Sequence, residues 1–334
     1  MIKGHGDDIY QYDGIKSDFS SNICQNPAAS QAVMDFLSQR PELLAHYPEP
    51  EAWSLEQMIA EHEGISPDNV IVTSGATEAI YLIAQTFPMQ ADIPRPTFSE
   101  YEDACQLFPP SAEIVDLYSR NKKGKGILWL CNPNNPTGEV YDQLYIDRMM
   151  AEYDIVVLDH SYEYYTDGHV MSSRWGCRTP YSIQIHSFTK TYAIPGLRLG
   201  YITAHESLIG QIRQYLRPWS VSSLAVEAGK FLLEHDELIC KPHLQEAQRL
   251  AKNLEQLWGV VVTPSQTNFM LCSMVHHTAI ELKEYLAKEH HMLIRDASNF
   301  KGLTSHHFRV ASQTPEENDA LVEAINLFIS SKNG

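Results

Sequence analysis

Short, almost wholly apolar runs alternate with longer stretches of helical period through the middle of the chain. The runs are NVIVT (69–73), GILWLC (126–131), DIVVLD (154–159), SIQIHSF (182–188) and LGYIT (199–203). Between several of them lie TEAIYLIAQTF and YDQLYIDRMMAEY, which have the spacing of helices. Strands that are apolar on both faces and separated by helices are buried on both sides. The pattern therefore predicts an α/β domain with a mostly parallel central sheet. After about residue 240 the rhythm changes. A helix is expected over 243–258, then strands VVVT, NFMLC, MLIR and HFRVA, with further helices over 278–290 and from 315. This predicts a smaller α+β unit. The expected division is an arm and part of the small domain over 1–44, a large domain over 45–240, and the rest of the small domain over 241–334.

Polar residues gather where the strands of the large domain end. NVIVT runs into Ser74-Gly75-Ala76-Thr77-Glu78 and a helix, and GILWLC runs into NPNNPTG. DIVVLD ends on Asp159, and SIQIHSF leads into Thr189 and Lys190. In parallel α/β sheets the carboxyl ends of the strands lie along one edge, where ligands bind. Four distant segments thus bring an amide, a carboxylate, a lysine and a glycine-containing helix start to one place.

The bulk properties narrow the ligand. The 334 residues carry a formal net charge of −17, which argues against a nucleic-acid partner. An anionic ligand must then be held by a few local cations and backbone amides. No apolar run approaches the roughly 18 to 20 residues of a membrane span, and MIKGHGDDIYQYDG lacks a signal-peptide core. Six scattered cysteines form no CxxC pair, so neither a disulfide framework nor a zinc site is expected, and the cytoplasm is the expected compartment. The histidine pairs at 276–277, 290–291 and 306–307 point their rings different ways, and no metal ligand set is expected from them.

A small-residue turn opening a helix suits a phosphate, through its free N–H groups and positive dipole end. The chain has no GxxxxGK[ST], so this is no P-loop. Asp159, ending an apolar strand, would be costly to bury unpaired and calls for a cationic partner. A desolvated lysine has a lowered pKa and attacks aldehydes. One cofactor needs a phosphate cradle, an acid for a protonated ring nitrogen and an imine-forming lysine: pyridoxal 5′-phosphate.

With these residues in view, the chain resembles fold-type I pyridoxal-phosphate enzymes of the class I/II aminotransferase family, in the branch holding histidinol-phosphate aminotransferase and threonine-phosphate decarboxylase. The motifs are NPNNPTG (132–138), LDHSY (158–162), SFTKTYAIPGLRLGY (187–201), SGATEAI (74–80), PTFSEY (96–101), LIRD (293–296) and FRVA (308–311), and the likeness spans nearly the whole chain. The resemblance implies that Lys190 forms the imine and moves the proton, and that Asp159 pairs with the ring nitrogen. It implies that Asn135 and Tyr162 bond the ring hydroxyl, and that Phe98, or else Tyr101, stacks on the ring. Gly75, Ala76, Thr77, Ser187, Thr189 and Arg198 would hold the phosphate. Tyr47 would reach it from a neighbouring subunit, making the active unit a homodimer. His5, Asn22, Arg295 and Arg309 would bind a small phosphorylated substrate.

The opening of the chain resembles that of the decarboxylases. Asp18-Phe19-Ser20-Ser21-Asn22-Ile23 matches closely, but Gly6-Asp7-Asp8 stands where they have Gly-Gly-Asn. An added carboxylate there would repel a phosphorylated substrate unless it faces away. The expected activity is decarboxylation of L-threonine O-3-phosphate for cobalamin synthesis. The alternative is an aminotransferase acting on histidinol phosphate or another amino donor with 2-oxoglutarate.

Overall fold

The structure is a computed structural model and describes residues 8–108, 113–115 and 125–332. His5, Gly6 and Asp7 therefore lie outside the described residues. Seven strands form the large sheet: Val70–Thr73 (β2), Ala91–Pro94 (β3), Glu113–Val115 (β4), Ile127–Cys131 (β5), Ile155–Asp159 (β6), Ser182–Ser187 (β7) and Gly200–Ala204 (β8); the earlier Ser17–Asp18 is β1. Their order is β2-β8-β7-β6-β5-β3-β4. All neighbours run parallel except β8, which is antiparallel to both β7 and β2. The five apolar runs became β2, β5, β6, β7 and β8, each buried along its whole length. The sequence pattern did not reveal β3 because its four residues, ADIP, include a buried carboxylate; Asp92 accepts a hydrogen bond from the Tyr153 hydroxyl at 2.5 Å.

The second sheet contains Val260–Val262 (β9), Phe269–Met274 (β10), Arg295–Asp296 (β12) and His307–Ala311 (β13), in the order β12-β13-β10-β9. MLIR, expected as one strand, is split. Met292–Leu293 (β11) pairs in parallel with β1, whereas Arg295 and Asp296 pair with β13. Phe19, next to β1, is fully buried in the same apolar cluster as Leu250, Phe308 and Phe328. Burying a phenylalanine is worth about 1.5–3 kcal/mol, enough to anchor the segment leading to Asn22.

Local signals set the helix ends. Thr278 and Glu281 form a capping box on Ala279–His290, and Gly64, at φ 65°, ends Trp53–Glu63 in the left-handed conformation. No helix among the described residues is long and apolar enough to cross a membrane. One cysteine expectation needs correction. The fold brings Cys24 and Cys240 into disulfide contact, with Cα atoms 6.7 Å apart across 216 residues of sequence. No spacing rule reveals such a pair, since only the folding of the arm onto the large domain brings the two together.

Candidate active site

A cavity of about 300 Å³ opens at the carboxyl ends of β2, β5, β6 and β7 and is closed by residues of β12 and β13. Ala76, Thr77, Phe98, Asn135, Asp159, Tyr162, Ser187, Thr189, Lys190, Arg198, Asn22, Arg295 and Arg309 all line it. Three sequence candidates do not, and one of them, Gly75, sits just behind the lining at the start of the helix that carries Ala76 and Thr77. Tyr47 is 86% exposed and packs against Trp219, with ring centroids 5.6 Å apart. His5 is not among the described residues.

At one end, the helix Gly75–Thr86 starts directly beneath Arg198. Gly75 has φ +81°, and a Cβ there would lie 2.7 Å from Nη2 of Arg198. Only glycine allows the guanidinium to close over the helix start. Opposite it, the buried Thr189 hydroxyl has no hydrogen-bond partner, and Ser187 is 5% exposed beside it. A helix N-terminus, a cation and an unsatisfied hydroxyl converge, as a phosphate requires. At the floor Asp159 is 4% exposed, and Lys190 Nζ lies 5.5 Å from the ring centre of Tyr162. Phosphate cradle, buried acid and amine thus fit pyridoxal 5′-phosphate in kind and in order along the cavity.

Asp159 was expected to have a cationic partner, and its observed donors are neutral. The Tyr101 hydroxyl donates to Oδ2 at 2.7 Å and the Ser161 amide to Oδ1 at 2.9 Å. These two neutral donors satisfy one lone pair on each oxygen of the buried carboxylate and leave it open toward the cavity. Tyr101 is fully buried and stacked on Trp129 with an interplanar angle of 23°; burial, then the Asp159 charge, push its phenol well above the usual range. Its hydroxyl is committed to Asp159, and Phe98 stands edge-on to it on the cavity wall. Tyr101→Phe keeps the ring stack and removes one donor from a charged acceptor, so it should cost about 1.5–3 kcal/mol of stability. Urea unfolding would measure this, and a loss within about 0.5 kcal/mol, typical of a surface change, would contradict the assignment.

At the other end, Arg295 and Arg309 stand directly opposite each other on antiparallel neighbours and are 6% and 4% exposed. Arg309 donates from Nη1 to Asn135 Oδ1 at 2.5 Å and from Nη2 to the Ser20 carbonyl at 2.6 Å, and its Nε is unpartnered. Burial pushes Arg309 down to about 10, with the neighbouring Arg295 charge adding to the effect, and burial also lowers Arg295. Both remain cationic at neutral pH. The oxygen of Asn135 is thus taken by Arg309, which leaves its Nδ2 for a ring oxygen. Asn22 Nδ2 lies 3.5 Å from the Tyr162 hydroxyl, and its buried Oδ1 has no partner. Burial raises the Tyr162 phenol.

The Asp8 carboxylate pairs with Lys283 of the helix Ala279–His290, and its charge also reaches Arg295 and offsets part of the lowering by burial there. Two residues escaped the sequence reading. The fully buried Tyr165 accepts from the Cys24 amide at 3.2 Å and donates to the Lys190 carbonyl at 3.0 Å, tying the arm to the lysine. Ser20 presents its carbonyl to Arg309 because its own N–H and hydroxyl both bond Asp18, at 2.8 and 2.6 Å. A tyrosine three residues after Tyr162 was a visible signal for the first; a carbonyl carries none for the second.

Comparison with known proteins gives consistent results. The family model for aminotransferase class I and II matches residues 15–325. A threonine-phosphate decarboxylase of Salmonella typhimurium is 28% identical over 337 residues, covering 92% of this chain and 90% of that protein. A histidinol-phosphate aminotransferase of Caldanaerobacter subterraneus is 29% identical over 308 residues, covering 85% and 84%. The crystal structure of L-threonine-O-3-phosphate decarboxylase from Porphyromonas gingivalis superposes with a TM-score of 0.89 at 33% identity, covering 94% of this chain and all of that one.

Proposed function

The chain belongs to the class I and II aminotransferase family and uses pyridoxal 5′-phosphate, and we propose that it decarboxylates L-threonine O-3-phosphate to (R)-1-aminopropan-2-yl phosphate. The observation that carries the proposal is the facing pair Arg295 and Arg309. Two buried cations on adjacent strands, repelling each other across the cavity end, suit a dianionic phosphate better than a single carboxylate. The likeness to decarboxylases over more than nine-tenths of the chain supports it.

When bound, pyridoxal 5′-phosphate supplies an electron sink for the charge left on the substrate's α-carbon. Which bond breaks depends on which one stands perpendicular to the ring, and that is set by the protein. With the side-chain phosphate held by Arg295 and Arg309, the substrate's carboxylate would be left without a cationic partner and free to leave. Asn22 and the Ser20 backbone wall that side of the cavity. Asp159, held by Tyr101 and Ser161, would face the cofactor's ring nitrogen and hold a proton there. Lys190 Nζ, above Tyr162, would hold the proton to be delivered to the substrate's α-carbon. Arg198, the amides of Ala76 and Thr77, and the hydroxyls of Ser187 and Thr189 would hold the cofactor phosphate. Tyr47, exposed on its own chain, reaches the phosphate of a second copy in a homodimer.

The test is carbon dioxide release from carboxyl-labelled L-threonine O-3-phosphate with pyridoxal phosphate and no keto acid. Catalytic release is expected. Turnover of histidinol phosphate only when 2-oxoglutarate is present would establish the aminotransferase reading instead, which the 29% identical relative keeps in view. Arg309→Gln should lower kcat/KM for the phosphorylated substrate by roughly 30-fold to several thousandfold, the equivalent of 2–5 kcal/mol for truncating one side of a buried charge pair. The same change should leave the weak reaction of unphosphorylated threonine nearly unaltered. Equal losses on both substrates would place Arg309 on the carboxylate.

A further inference from the structure

Behind Asp159, on the opposite face of the sheet, lies a second group of side chains that the reaction does not use. His160 follows Asp159 at the end of β6, His186 is the penultimate residue of β7, and Glu163 comes from the turn after β6. One donor atom from each lies within 4.8 Å of the other two. Both histidines are buried, His160 completely, and neither nitrogen of the His160 ring has a hydrogen-bond partner. A fully buried imidazole with two unsatisfied nitrogens is rare in native proteins and calls for an unseen partner.

The surroundings of His186 differ from those of His160. Gln184 donates Nε2 to the Met171 carbonyl at 3.0 Å, and its Oε1 accepts from the Thr203 hydroxyl at 3.2 Å. His186 Nε2 lies 3.1 Å from the Thr203 hydroxyl and 3.4 Å from the Ser173 hydroxyl, and its Nδ1 lies 3.0 Å from Glu163 Oε1. A proton would satisfy His186 and Glu163 but would leave His160 as it stands; a metal ion satisfies all three.

We propose that His160, His186 and Glu163 bind a divalent metal ion, with water completing the shell. Two imidazoles and one carboxylate form the N,N,O set that suits zinc. An outer acceptor bonded to the far nitrogen of a metal-bound histidine, as Thr203 is to His186, is the usual second layer of such sites. Glu63 adds a further negative charge nearby. Its carboxylate accepts from the Tyr201 hydroxyl at 2.8 Å, and the Tyr201 ring stacks on His186 with centroids 4.4 Å apart. Binding would draw the three donor atoms from their present spread to the roughly 3.3 Å separation of a tetrahedral zinc shell. The Glu163 side chain, 20% exposed, marks the side from which the ion enters. A bound ion would clamp together the two strands that carry Asp159 and lead to Lys190. The sequence held no sign of this, because the ligands sit on separate strands and no local spacing joins His186 to the other two.

The test uses the full chain loaded with its cofactor, stripped with a chelator and then titrated with zinc. Elemental analysis after desalting should find one zinc per chain, and cobalt in its place should give the intense visible bands of a four-coordinate site. Glu163→Gln and His160→Ala should each weaken that site by more than the roughly 10- to 100-fold lost with an outer partner alone. His160→Ala empties a fully buried position and can cost stability, but Glu163 is partly exposed, so Glu163→Gln should fold normally and carries the test. No stoichiometric zinc in the unaltered protein, or equal zinc in the protein and both variants, would overturn the proposal. The second result would assign the metal to surface histidines such as those at 276–277.

Discussion

Lys190→Ala is expected to lower kcat by about 10⁴-fold or more, a loss of at least about 5.4 kcal/mol of barrier reduction, while leaving the unfolding transition almost unchanged. The lysine is the cavity's amine and has no substitute there, since Arg198, Arg295 and Arg309 cannot act as nucleophiles at neutral pH. Its side chain points into the cavity rather than into the core, so removing it creates no packing defect. The backbone at this position is held independently by the Tyr165 hydroxyl on the Lys190 carbonyl. The protein should also lose the yellow colour of the cofactor-loaded form, measured by absorption after desalting. Turnover surviving at more than about one per cent would end the proposed mechanism, since that is under 3 kcal/mol of barrier.

Asp159→Asn is expected to cost about 10³-fold in kcat/KM, close to 4 kcal/mol. The substitution is nearly isosteric. An asparagine can still accept from the Ser161 amide with its oxygen, and its nitrogen can donate to the Tyr101 oxygen, so the hydrogen-bond frame survives and only the charge goes. The comparison with Tyr101→Phe separates the two roles. Asparagine should lose rate without much stability; phenylalanine should lose stability with a smaller loss of rate. If Asp159→Asn were instead strongly destabilised and fully active when folded, the carboxylate would be a structural group and the floor of the cavity would need another acid.

Several parts of this molecule were legible before any coordinates. The five apolar runs are buried strands because an α/β core is apolar on both faces, and the chain writes that locally. The residues after each run are close to the strand ends by chain connectivity alone, so NPNNPTG, Asp159 and Thr189-Lys190 had to arrive at one sheet edge once the strands ran parallel. Four short strands were hidden: β1 and β4 by their two- and three-residue lengths, β3 by its buried aspartate, and β11 by its continuity with Arg295, which joins a different sheet.

By itself, the sequence determined the kind of domain, the cofactor and the segments that meet around it, since each of these depends on short stretches whose chemistry survives any choice of register. Only the tertiary structure decided the pairings between distant residues. It set Arg295 opposite Arg309, gave Asp159 the Tyr101 hydroxyl as a donor, tied Cys24 to Cys240, and gathered His160, Glu163 and His186 together. The physical reason is that strand order and register settle which side chains face one another, and a shift of one residue would send each to the opposite face.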